Sequence, residues 1–269
     1  MLDACVASVL DDGVAEHVIV VDNGGTALAD RRVEIVRPSR NLGFGGGANA
    51  GFERALRLGA TSVALLNDDI VAEPGWLTPL RAALDSDEAL GAVQPKLLLA
   101  GSDPPRVNSV GVAVGGDGAG HDVGYGEIDG LEFATDRPIE SFTGGAVLFR
   151  SEFLQATGGF DESYFLYYED VDLARRGAAL GWTYLCSPAS VVWHRVSAST
   201  SQLGDKARYL QERNRLRFAF RFGNARTIRR ALWLSTRRLR WVPRGAHTRA
   251  LLAGLGLAPK ALLARLRAR

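Results

Sequence analysis

The chain has 269 residues, enough for one large α/β domain with an appendage, and a formal net charge of only +2. Its two cysteines, Cys5 and Cys186, lie far apart with no Cys/His cluster beside either, which excludes a disulfide-stapled small domain and favours a reducing cytosolic compartment. No run reaches the roughly 18 apolar residues of a membrane span, and Met1-Leu2-Asp3-Ala4-Cys5 is not a basic leader, so neither a signal peptide nor a transmembrane helix is expected.

Residues 2–10 read as a helix, and His17-Val18-Ile19-Val20-Val21 as a first strand that stops at Asp22-Asn23-Gly24-Gly25. An acid at a strand end either accepts hydrogen bonds from a nucleoside ring or ribose, or closes the strand in an Asx-turn. A short strand at 33–36 leads into Arg40-Asn41-Leu42-Gly43-Phe44-Gly45-Gly46-Gly47-Ala48-Asn49-Ala50-Gly51. This reads as a flexible glycine loop opening a helix, where backbone N–H groups meet a phosphate or sugar, or as a connector with no ligand. It matches neither the Gly-x-Gly-x-x-Gly dinucleotide fingerprint nor a Walker loop.

Ser62-Val63-Ala64-Leu65-Leu66 reads as a buried parallel strand that ends abruptly at Asn67-Asp68-Asp69. Ligands of open α/β sheets bind beyond the carboxyl ends of the strands, so this pair of acids falls where chemistry is expected. Adjacent carboxylates suit Mg²⁺ or Mn²⁺, hard cations that take one or two protein oxygens and fill their shell with water and phosphate. The alternative is a solvated acidic turn.

Another helix is expected after Pro74, a strand at 91–97, and hairpins and loops through the Gly/Asp-rich 101–130. Residues 141–150 alternate and then become solidly apolar, as a central strand does. Tyr164-Phe165-Leu166-Tyr167-Tyr168-Glu169-Asp170-Val171-Asp172 precedes a helix at 172–180 that Gly181 closes. Its acids either cap the helix or include a carboxylate desolvated by aromatic neighbours, whose raised pKa makes it a better proton acceptor. Strand-like pieces at 182–185 and 191–194 follow, the second ending in His194, and the pattern is helical from Asp205.

Residues 225–269 hold 12 of the 32 Lys/Arg and none of the 30 Asp/Glu, so a cationic tail follows an anionic body. Interleaved with Trp and Leu, these basic residues favour an anionic membrane surface over nucleic acid.

Asp22, the Asn41 to Gly45 loop, Asn67-Asp68-Asp69, Gly144-Gly145, Gly158-Gly159-Phe160-Asp161-Glu162, Glu169-Asp170-Val171-Asp172-Leu173 and His194 occur in that order. The set resembles the inverting family 2 glycosyltransferases of the GT-A fold, and in particular their bacterial rhamnosyltransferase-like members. The likeness covers about residues 2–200 and, more loosely, a helix with Tyr209, Arg213 and Asn214. It implies a Rossmann-like, mostly parallel central sheet with flanking helices at 1–200, to which the charge and Trp/Leu pattern adds a basic, membrane-associating helical region at 201–269. It also implies transfer of a sugar, rhamnose being the best match, from a dTDP- or UDP-sugar to a glycan or polyprenyl-linked acceptor, with Mg²⁺ or Mn²⁺ and without nucleic acid. The enzyme is expected at the cytoplasmic face of the cell membrane as a peripheral protein.

By this resemblance Asp170 is the base, with Glu169 beside it. Asp22, Asn41, Gly43, Gly45, Asn49 and Asp68 line the donor nucleotide, Asp69 and His194 face the metal, and Gly144, Gly145 and Tyr168 lie on the acceptor side. Two departures stand out. Asn67 replaces the first acid of the family's Asp-x-Asp, and family members open with an apolar strand before the helix at which this chain begins. Either the natural protein starts further upstream, or an edge of the nucleotide site is expected to be absent, with exposed backbone and reduced stability. The competing readings are a nucleotidyltransferase on a similar sheet, disfavoured because the glycine loop offers only Arg40, and a catalytically inactive membrane-bound scaffold.

Overall fold

The computed structural model describes residues 1–24, 30, 32–195, 204–241 and 244–267. The chain forms two compact units. One comprises Met1–Ala113, Asp122–Ser163 and Glu169–Val196, and the other Val114–His121, Tyr164–Tyr168 and Ser197–Arg269. Two short segments of the sequence expected within 1–200 thus cluster with the C-terminal helices.

The first unit begins with α1 (Leu2–Asp12), β1 (Ile19–Val21), β2 (Glu34–Val36), α2 (Gly43–Arg57), β3 (Ser62–Leu66), β4 (Ile70–Ala72), α3 (Leu77–Ser86), β5 (Leu90–Leu99) and β6 (Val107–Ser109). The hairpin of β7 (Val112–Val114) and β8 (Gly120–Asp122) is followed by β9 (Arg137–Pro138), β10 (Ala146–Arg150), α4 (Ser151–Thr157), α5 (Glu169–Ala179) and β11 (Thr183–His194). The α/β class expected from the sequence is the one found. The main sheet has the order β3-β10-β5-β11-β4, with β6 on β5 and β9 on β11.

The longest ladder is parallel, joining β5 to β11 from Thr183↔Leu90 to His194↔Leu99 with a shift between Ser187 and Val191. That irregularity is why 182–185 and 191–194 look like separate pieces in the sequence. β10 is central and covered on both faces. Its Val147 and Phe149 enter an aromatic cluster with Phe52, Phe142, Phe153 and Phe160, while Ala146 and Leu148 enter a second cluster with Trp76, Leu80 and Leu97. This period-two division explains its continuous apolar sequence.

β3 departs from expectation. It is an end strand, antiparallel to β10, and all five of its residues are half-buried rather than enclosed. β1 and β2 form a separate parallel pair.

The glycine stretch is also ordered differently from the expected flexible loop, because α2 already begins at Gly43 and the glycines form its first turns. Close packing requires them. A Cβ on Gly45 would lie 3.2 Å from Phe160 Cβ, one on Gly47 3.0 Å from Asn23 Nδ2, and one on Gly51 3.1 Å from Val21 Cγ2.

In the second unit, α6 (Gly204–Phe222) packs on α7 (Ala225–Arg238) and α8 (Arg244–Arg267) through Leu216, Ala219, Phe220, Ala231 and Ala261. Glu212, 5% exposed, takes both Arg215 and Arg238 as ion partners and accepts from the Ser235 hydroxyl. Arg238 is thus turned inward, and Arg265 donates to the Gly223 carbonyl at 2.6 Å. Arg226, Arg229, Arg230, Arg237 and Arg240 instead share the exposed face of α7 and its end with Trp233 and Trp241, which are 59% and 82% exposed. Among the described residues no helix is long and apolar enough to cross a membrane.

The same unit holds the segment Tyr164–Tyr168. Phe165, Tyr167 and Tyr168 adopt φ near 70°, a left-handed conformation unfavourable for bulky side chains. Asn214 Nδ2 faces the carbonyls of Tyr164, Leu166 and Tyr167 at 3.1, 2.8 and 2.8 Å. Arg213 also donates to the Tyr164 carbonyl, at 2.7 Å.

Candidate active site

The turn after β3 is built by backbone hydrogen bonds. Asn67 N–H donates to the Gly145 carbonyl at 2.8 Å, and Ile70 N–H returns to the Asn67 carbonyl at 3.1 Å. Asp68 is left exposed on this turn while Asp69 is buried at 8% exposure. Antiparallel pairing of β4 with β11 sets His194 opposite Ile70, and Arg195 N–H continues the ladder to the Asp69 carbonyl at 3.0 Å. Two residues 125 positions apart are thereby juxtaposed, with Asp69 Oδ1 3.2 Å from His194 Nε2.

Despite that proximity, Asp69 Oδ1 is buried without a hydrogen-bond partner. Buried carboxylate oxygens are seldom left so, and an orphan of this kind asks for an ion or water. Two ligands on adjacent corners of an octahedral cation with bonds of about 2.1 Å stand roughly 3 Å apart, so this pair fits Mg²⁺ or Mn²⁺. Among the described residues no cluster of three metal-binding side chains exists, and such cations ordinarily complete their shell from water and phosphate. His194 also lines an open recess of about 500 Å³ with Leu99, Ala100, Gly101, Ser102 and Arg195.

The second half of the site sits at the start of α5. Gly144 N–H donates to Asp170 Oδ2 at 3.1 Å, and Val171 N–H to Asp170 Oδ1 at 2.8 Å. Burial outweighs these bonds and pushes Asp170 up to about 6, with the Asp122 charge adding to the rise. Glu169 is held well above the ordinary carboxyl range by burial and by Asp170, and its Oε2 has no partner. Asp172 takes the bland role, paired with Arg176 at 2.8 Å.

Gly144 and Gly145 connect the two halves. One fixes the carboxylate of Asp170, the other the turn that carries Asp69. Gly144 lies so close to Phe44 that a Cβ would stand 2.9 Å from its ring.

On the expected nucleotide side, Asp22 ends β1 and meets Arg37 at 3.2 Å. Asn41 Oδ1 accepts from Gly43 N–H at 2.8 Å, a turn at the head of α2. Asn49 is engaged at both ends of its amide, accepting from Phe160 N–H at 2.9 Å and donating to the Phe160 carbonyl at 2.9 Å and to Glu162. Gly43 and Gly45 lie in the first turn of α2. Asn23, not singled out by its sequence position, ties β1 to that helix by accepting from Leu42 N–H at 2.9 Å and donating to the Gly43 carbonyl at 2.7 Å. Tyr168 belongs to the second unit, where its hydroxyl accepts from Gly120 N–H at 3.4 Å and burial pushes it up to about 12.

The family model described as "Glycosyltransferase like family 2" matches residues 4–219. The chain belongs to this family. As a family 2 glycosyltransferase it is 35% identical over 86 residues to N-acetylglucosaminyl-diphospho-decaprenol L-rhamnosyltransferase of Mycobacterium tuberculosis, a stretch covering 32% of this chain and 27% of the relative. It is 35% identical over 141 residues to the O-antigen biosynthesis protein RfbC of Myxococcus xanthus, covering 50% of this chain and 11% of that one. The match thus spans about a quarter or less of the length of these relatives.

Among solved structures, GalNAc-T7 with UDP, GalNAc and Mn²⁺ matches 87% of the chain and 47% of its own at a TM-score of 0.61 and 13% identity. The mannosyltransferase PcManGT from Pyrobaculum calidifontis, in complex with GDP-Man and Mn²⁺, matches 99% of the chain and 80% of its own at 0.53 and 15%. These likenesses establish the GT-A fold of the family 2 domain.

Proposed function

We propose that this family 2 glycosyltransferase moves a sugar, with inversion, from a nucleotide-sugar to a hydroxyl of a lipid-linked or cell-wall glycan. The observation that carries the reading is the pair of hydrogen bonds from Gly144 to Asp170 and from Asn67 to Gly145, which hold a carboxylate that burial pushes up to about 6 and the Asp69 turn on one dipeptide. A base with a pKa just below the working pH is ionised yet still able to take a proton.

Asp170 accepts the proton of the acceptor hydroxyl as that oxygen attacks the anomeric carbon. The bond from that carbon to the diphosphate breaks on the opposite face, so one displacement inverts the centre. Asp69 and His194 would hold Mg²⁺ or Mn²⁺, which supplies Lewis-acid neutralisation of charge on the departing diphosphate. Burial and the neighbouring Asp170 both push Glu169 upward, which disfavours a second charge beside the base. The neighbours solved with Mn²⁺ and with UDP or GDP-Man support the metal and the donor class.

For the sugar, the partial match to the decaprenol L-rhamnosyltransferase supports rhamnose from a dTDP donor and a polyprenyl-linked acceptor. The exposed Arg/Trp face of α7 supports a peripheral position on the anionic inner face of the cell membrane, where such an acceptor is presented. The test of the reaction is Asp170→Asn assayed for both donor binding and transfer. Donor binding is retained and transfer is lost; unchanged turnover would remove Asp170 from the role.

A further inference from the structure

Both ring nitrogens of His194 face an oxygen. Nδ1 lies 2.6 Å from Asn108 Oδ1, and Nε2 lies 3.2 Å from Asp69 Oδ1. Asn108, only 6% exposed, is carried by β6, which borders β5 on the edge opposite β11. Residues of two strands, β6 and β11, and of the turn between β3 and β4 therefore meet at one imidazole.

An amide oxygen only accepts, so the ring must donate from Nδ1, and a neutral imidazole then has its lone pair on Nε2. That lone pair and Asp69 Oδ1 are two acceptors at 3.2 Å, and Oδ1 makes no hydrogen bond to the ring. Two acceptors that share a small buried space repel one another unless a cation joins them. The opposite tautomer would place a proton on Nε2, where a modest turn of the ring lets it donate to Asp69 and the pair satisfies itself.

We propose that Asn108 is a positioning residue that selects the Nδ1–H tautomer of His194 and so keeps the Asp69–His194 pair open to a divalent cation. The inference rests on the metal reading above. Outer-shell groups that orient a metal-binding histidine ordinarily account for 10–100-fold in metal affinity.

The test uses the full chain labelled with ¹⁵N-histidine, metal-free, at about pH 8, above the ordinary imidazole pKa of ~6.5. Two-bond ¹H–¹⁵N correlation spectra, with His194→Gln to identify the resonances, report which nitrogen carries the proton. Wild type shows the proton on Nδ1, and Asn108→Leu moves it to Nε2. Mn²⁺ titrations followed by electron paramagnetic resonance, in the presence of dTDP, give about 10–100-fold weaker binding for Asn108→Leu. Asn108→Asp, which retains an acceptor, stays within a few-fold of wild type.

Circular dichroism checks that each variant is folded, and Asn108→Ala serves where leucine disrupts β6. A wild-type His194 protonated on Nε2, or an unchanged Mn²⁺ affinity in Asn108→Leu and Asn108→Ala, overturns the proposal. A wild type that has the Nδ1 proton but takes up no Mn²⁺ overturns the metal reading, and the cation role of Asn108 with it. Wild-type Mn²⁺ binding with the proton on Nε2 overturns the role of Asn108 alone.

Discussion

Gly144 presents its backbone N–H to Asp170 Oδ2 at 3.1 Å, and the carbonyl of the next residue, Gly145, accepts from Asn67 at 2.8 Å. One dipeptide thus orients the proposed base and the turn bearing Asp69. The residue type follows from space, since a Cβ on Gly144 would come within 2.9 Å of Cε1 and 3.1 Å of Cζ of Phe44.

Gly144→Ala is therefore expected to shift the turn. Phe44 packs against the aromatic cluster and stands 5.9 Å from Phe160, so the ring has little room to retreat. Overpacking of this kind costs about 1–3 kcal/mol. Denaturant unfolding would show that loss, and transfer assays a fall in kcat of at least about tenfold. Wild-type turnover would show that the dipeptide does not set the base.

The pH dependence follows from Asp170, which burial pushes up to about 6. Activity is expected to fall as pH drops through 6, because the base becomes protonated, and to level off above 7. Stability runs the opposite way. A carboxyl whose native pKa lies above its unfolded value binds more protons when folded, so stability declines as pH rises from about 4 to about 6. Asp170→Asn removes the cost of burying that charge, so at pH 7.5 its Tm should equal or exceed that of wild type while transfer is lost. A lower Tm in a folded, inactive variant would point to a structural carboxylate instead.

Asn214 faces three carbonyls of a segment in which Phe165, Tyr167 and Tyr168 have φ of 69°, 69° and 73°. Asn214→Ala leaves buried acceptors without a donor, at about 1–3 kcal/mol. Asn214→Asp should be worse, since a carboxylate would meet carbonyl oxygens. Thermal unfolding of the two variants decides, and equal melting temperatures would deny the amide this role.

The exposed face of α7 and its end presents Arg226, Arg229, Arg230, Arg237 and Arg240 beside Trp233 and Trp241. Each basic residue near an anionic bilayer contributes about 1 kcal/mol. The protein should sediment with vesicles containing anionic lipid and far less with zwitterionic ones. Reversing Arg229, Arg230 and Arg237 to Glu should lower that partition by at least an order of magnitude, and an undiminished partition would rule this face out.

The positions of the candidate site's residues could be read because its carboxylates and histidine follow apolar runs. Strand ends of an α/β sheet were legible at Asp22, Asp69 and His194, and the Gly144-Gly145 and Glu169-Asp170 motifs carried their own signal. The edge position of β3 could not be read, since an apolar pentapeptide looks alike whether one face or both are covered. The glycines of α2 suggest a loop by composition, yet they are helical, and Phe160, Asn23 and Val21 lie so close to that helix that little room is left there for a Cβ. Asn23 and Asn108 gave no local signal, because each acts on residues distant in sequence and an isolated asparagine has no periodicity to betray it; Asn214 was marked only by the loose resemblance of its helix, which said nothing of the carbonyls it faces.

Calorimetric titration of the purified chain with dTDP, UDP and GDP, with and without Mn²⁺, tests the central claim most directly, with Asp69→Ala run beside it. The account predicts that one nucleotide binds in a Mn²⁺-dependent manner and that the substitution abolishes this dependence. Binding by folded protein that is indifferent to both Mn²⁺ and Asp69, or no binding at all, would contradict a metal-assisted donor site at the end of β3.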